Sequence, residues 1–77
     1  MKSFNLGSDF RPGSQDWYHL HVPDAGPWRV TMEKDYDDPN KEGYTVDIAR
    51  EEISKHSIDG VPLADAIEKK LKEIGRA

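Results

Sequence analysis

Two stretches of strict alternation, 17–22 and 28–34, flank the segment Pro23-Asp24-Ala25-Gly26-Pro27, and this arrangement constrains the chain more than any other feature. Alternation with period two is the pattern of a half-buried strand. The segment between is turn chemistry: proline presets φ, aspartate bonds its own backbone and Gly26 accepts positive φ. The spacing predicts an antiparallel hairpin. If its loop closes symmetrically, Val22 faces Trp28, Leu20 faces Val30 and Tyr18 faces Met32, so every core candidate shares one face. On the reverse face His21 meets Arg29, His19 meets Thr31 and Trp17 meets Glu33. A slip of one residue would mix the two sets, so burial of one face specifies the register.

The segments on either side are less regular. Residues 1–15 mix Gly7, Pro12 and Gly13 with serine and aspartate and hold no apolar period, which reads as a flexible arm. Phe4, Leu6 and Phe10 are its docking candidates, with a short strand as the alternative. After a polar loop from Asp35 to Gly43, Tyr44, Val46 and Ile48 alternate like a third strand. Thr45 or Asp47 equally suits the cap of a helix running to about His56. The reading is a short strand or extended entry followed by a helix. Asp59 and Gly60 mark a turn, and Pro62 suits the first turn of a helix that continues to Ile74. Leu63, Ala64, Ile67, Leu71 and Ile74 form its apolar stripe, Asp65/Lys69 and Glu68/Lys72 are favourable pairs, and Gly75 is a stop. The expected fold is α+β: an antiparallel β-hairpin or small three-stranded sheet covered on one face by one or two C-terminal helices. It forms a single domain over residues 16–77.

A chain of 77 residues has room for one core. It has no cysteine, so disulfides and thiolate zinc sites are excluded. Residues 1–16 contain no apolar run like a signal peptide, and no stretch is long and apolar enough to span a membrane. The expectation is a soluble cytoplasmic protein. Its net charge of −4 is focused. Residues 35–52 carry Asp35, Asp37, Asp38, Glu42, Asp47, Glu51 and Glu52 against Lys41 and Arg50, a net of −5. Such a segment repels phosphate backbones and disfavours nucleic acid as a partner.

His19 and His21 point the same way from one strand with about 6.6 Å of rise between them, the start of a metal site that lacks further ligands. Asp35 and Asp37 occupy the first two ligand positions of a calcium loop, but Pro39, Asn40 and Val46 then fall where a ligand, a glycine and a glutamate are required. Ser54, His56 and Ser57 lack the orienting group and oxyanion donors of a nucleophilic site. No phosphate-binding glycine loop or metalloprotease helix is present.

Trp17 has the weakest bland explanation, because alternation puts it opposite the core unless Phe4 or Phe10 covers it. Tryptophan and arginine are enriched at binding hot spots, and Arg29 shares this face. The expected function is a small acidic accessory or regulatory protein. It would bind a macromolecule, a protein by preference, through Trp17, His19, His21, Arg29 and Glu33, with Asp35, Asp37 and Asp38 steering encounter. The alternatives are a metal-binding module built on the His-x-His strand and a minimal enzyme using His19, His21 or Glu33 as acid or base. No cofactor or membrane partner is expected, and the chain is read as a monomer or weak homodimer.

Overall fold

The computed structural model describes residues 2–76. Strands β1 (Lys2–Arg11), β2 (Ser14–Val22), β3 (Arg29–Tyr36) and β4 (Tyr44–Ile48) form one antiparallel sheet in the order β1-β2-β3-β4. A 3₁₀ helix (Arg50–Lys55) follows, then a two-stranded sheet of β5 (Ser57–Ile58) and β6 (Val61–Pro62), and finally helix α1 (Leu63–Glu73).

The central hairpin has the register that alternation predicts. Leu20 pairs with Val30, Tyr18 with Met32, Trp17 with Glu33, His19 with Thr31 and His21 with Arg29. Tyr18, Leu20, Val22, Val30 and Met32 are buried, and Trp28, just outside the strand, is half-buried against them. Residues 44–48 form the third strand of the reading, and the helix expected after them is a six-residue 3₁₀ turn.

The first fifteen residues depart from the expectation. Where a flexible arm was read, Lys2–Arg11 is a ten-residue strand paired along β2, which makes the sheet four-stranded. A bulge divides it. Between Asn5 and Gly7 the register shifts, and Leu6 is the extra residue. Gly7 has φ +119, a conformation that side chains disfavour, and its N–H donates to Asn5 Oδ1 at 2.6 Å. The shift reverses the facing of everything after it. Phe4 pairs with Leu20 and packs on the core, whereas Phe10 pairs with Gln15 on the opposite face and is 72% exposed.

The β5–β6 turn is Asp59-Gly60, with φ of 50° and 82°, the conformation that makes aspartate-glycine a favoured two-residue hairpin turn. Helix α1 then starts after Pro62 and carries Asp65 in its first turn and Lys70 and Lys72 in its last, each sign complementing the helix dipole. It ends in a Schellman arrangement: Arg76 N–H donates to the Leu71 carbonyl at 2.8 Å and Gly75 N–H to the Lys72 carbonyl at 3.2 Å. Leu63, Ile67 and Leu71 are buried, one turn apart. Ala64, assigned to the stripe from sequence, is exposed, and Ala66 is half-buried in its stead. Side chains of β2, β3, β4, the 3₁₀ helix, β5 and α1 belong to a single hydrophobic cluster.

Candidate functional site

The hairpin register that buries Leu20 and Val30 sends Trp17, His19 and His21 in a row along the other face of β2. Trp17 and His21 are about 13 Å apart at strand spacing. On β3, Glu33 lies beside Trp17 and Arg29 beside His21. The structure therefore brings the five predicted hairpin residues onto one face. Asp35 follows at its end, opposite Gln15, while Asp37 and Asp38 lie in the loop beyond. The Asp37 N–H donates to the Gly13 carbonyl at 3.1 Å, tying that loop to the β1–β2 turn. Asp38 Oδ1 accepts from the Asn40 N–H at 2.9 Å, an aspartate turn that leaves the loop's carboxylates exposed.

Trp17 is half-buried, flanked by Ser8 on β1 and Glu33 on β3. Phe4 faces the core and Phe10 is exposed, so neither buries it as a lid would. His19 Nε2 is 3.5 Å from Glu33 Oε1. His21 is committed on both sides: its Nδ1 is 2.8 Å from Ser3 Oγ and its Nε2 2.8 Å from Thr31 Oγ1. Burial lowers its pKa, and the positive charge of Arg29 and the neighbouring His19 lower it further. Arg29 itself lies 4.0 Å from Asp47 of β4, an exposed and therefore weak pair.

These contacts bear on the competing chemistries. With both ring nitrogens of His21 engaged by hydroxyls, a metal at His21 would have to displace either Ser3 or Thr31 from the ring. Among the described residues no group of three or more histidine, aspartate and glutamate side chains is arranged to hold a metal ion. Acid or base work requires a pocket beside the titrating group. Open grooves of about 480, 460 and 390 Å³ are lined by other residues, around Phe4 and Ile74, Leu6 and Val61, and Trp28 and Leu71 respectively. None of them includes His19, His21 or Glu33.

Comparison with protein-family models, curated proteins and solved structures found no match for the chain. The site is therefore defined by its own chemistry.

Two features escaped sequence reasoning. Phe10 joins the outer face only because of the bulge, and nothing in the spacing of residues 2–11 signals the reversal. Asp16, on the core face beside Tyr18, is 2% exposed. Lys34 Nζ lies 2.9 Å from its Oδ1 and Arg11 Nε 3.2 Å from its Oδ2. That pairing raises the Lys34 pKa, chiefly through the hydrogen bond to Asp16. Nearby, burial raises the Tyr18 pKa and the Asp16 charge adds to it, while the Tyr18 hydroxyl lies 3.0 Å from His56 Nδ1. The alternation places Asp16 on Tyr18's face, and that was the available signal. The cluster holds the Asp16 charge between two cations and reads as support for the sheet.

Proposed function

We propose that the chain is a small accessory or regulatory protein that binds a protein partner through the outer face of the sheet around Trp17, with the acidic loop steering encounter. The observation that carries this reading is a half-buried Trp17 on a paired strand with a 72%-exposed Phe10 on the neighbouring strand of the same face. Aromatic anchors on a regular element lose little conformational freedom on binding. Glu33 and Asp35 border them, and Asp37 and Asp38 extend the negative rim, so the matching surface is an apolar recess edged by lysine and arginine. On this reading α1 covers the Leu20 and Val30 face and leaves the opposite one to the partner. The cysteine-free chain suits a reducing cytoplasm.

Replacing Phe10 with a benzophenone amino acid in the native host tests the proposal. A defined protein should be captured, and Trp17→Ala in the same chain should abolish capture while leaving the thermal midpoint nearly unchanged. Capture that is indifferent to Trp17, or a Trp17→Ala chain that merely unfolds, would make this face part of the scaffold.

A further inference from the structure

We propose that a second copy of this chain joins the sheet at β4, the two β4 strands pairing antiparallel about Val46. The inference concerns a sheet edge and does not depend on what the outer face binds. An open sheet leaves unpaired backbone groups on both edges, and proteins blunt them with bulges, prolines, lysines or a covering segment. Here the edges differ. β1 has the Leu6 bulge and basic residues at both ends, and β5 lies against it, with the Asp59 N–H donating to Asp9 Oδ1 at 3.2 Å. β4 has no bulge, proline or lysine, and only its shortness and Asp47 protect it. Its register on β3 runs unbroken from Tyr44 to Ile48, its sequence is Tyr-Thr-Val-Asp-Ile, and Tyr44 and Val46 are 46% and 41% exposed.

The strand's own sequence selects the occupant. Pairing about Val46 sets Val46 on its counterpart, Thr45 on the second copy's Asp47 and Tyr44 on the second copy's Ile48. No like charges meet. Thr45 opposite the second copy's Asp47 places a hydroxyl donor beside a carboxylate, a cross-strand match that two-fold symmetry makes twice. Neighbouring registers fail: centring on Asp47 opposes two carboxylates, and centring on Thr45 sets Glu42 on Ile48. Directly opposed residues of an antiparallel pair share a face, so Tyr44, Val46 and Ile48 of both copies become one apolar row continuous with the core side. An unrelated extended peptide would satisfy the backbone, but no feature of β4 selects one.

A five-residue edge is small beside the roughly 1,200–2,000 Å² of stable interfaces, so the dimer is weak and follows concentration. Sedimentation velocity of the full chain from about 10 μM to about 1 mM should show the average mass rising toward twice the monomer. Val46→Lys and Val46→Glu each place like charges on the symmetry axis, and each alone should stay monomeric over that range. Their equimolar mixture should dimerise again. In the wild type, the amides of Thr45 and Asp47 should gain protection from hydrogen exchange as concentration rises, a readout that needs no variant to fold. A wild type that is monomeric throughout, a dimer that survives Val46→Lys, a mixture that stays monomeric, or protection gained at β1 instead would each overturn the proposal.

Discussion

His21 sits between two hydroxyls, and its environment has a measurable consequence. Its folded-state pKa lies below the ordinary value of 6.5, because burial and the Arg29 charge oppose protonation. The unfolded chain therefore takes up the proton first as pH falls. The stability contributed by neutral His21 is fully present above about pH 6.5 and is lost progressively as pH drops below it toward the folded value. Urea unfolding of wild type and His21→Gln at about pH 7.5 and about pH 5.5 should show a steeper loss for the wild type. Parallel profiles would mean that His21 is not held neutral by its surroundings. At this scale residue facing was legible and residue environment was not. Alternation put His21 outward, but Asp16 lies just before the stretch read as a strand, and its 2% exposure depends on Lys34, eighteen residues away in sequence, and on Arg11, contributed by a strand the pattern did not reveal.

Among the elements, β1 was the least legible for a physical reason. Phe4, Leu6 and Phe10 recur at even spacing and left a short strand as the alternative reading, but the extra residue at Leu6 turns Phe10 to the face opposite Phe4, so no single apolar side runs the length of β1. Pro12 and Gly13, which form the turn joining β1 to β2, read only as part of a flexible arm, because no strand was recognised before them. Gly7→Ala tests whether this edge is firm. The substitution forces a side chain into φ +119 and brings its Cβ to 3.4 Å from Ile58, and it should cost about 1–3 kcal/mol. Phe10→Ala, on the exposed face, should stay within about 0.5 kcal/mol. Equal and negligible effects would describe a loose arm. For α1 the helical stripe was legible, and its contribution is checked by Leu71→Ala. Leu71 is 9% exposed within the common cluster, and its truncation should cost on the order of 2–4 kcal/mol in chemical unfolding. A surface-like effect would show that α1 does not cover the Leu20 and Val30 face.

For the whole molecule, the uneven charge separates the two parts of the proposed site kinetically. Once a partner is captured, Trp17→Ala should raise its dissociation rate, with a loss of roughly 2 kcal/mol. Neutralising Asp35, Asp37 and Asp38 should instead slow association, and the difference should shrink as salt rises, because exposed charges are screened beyond about 10 Å at 0.1 M. Surface plasmon resonance at two ionic strengths distinguishes these, and a salt-independent association rate would remove the steering role. The sheet's asymmetry has a consequence of another kind. A flat sheet that can pair at both edges adds subunit after subunit, which is the route to fibres. With β4 joined to its counterpart about a two-fold axis, the outward edges of the pair are both β1, and there the Leu6 bulge and the flanking charges interrupt the template. On that proposal growth would end at two copies, and the irregular β1 edge would keep a concentrated solution of this protein from becoming a filament.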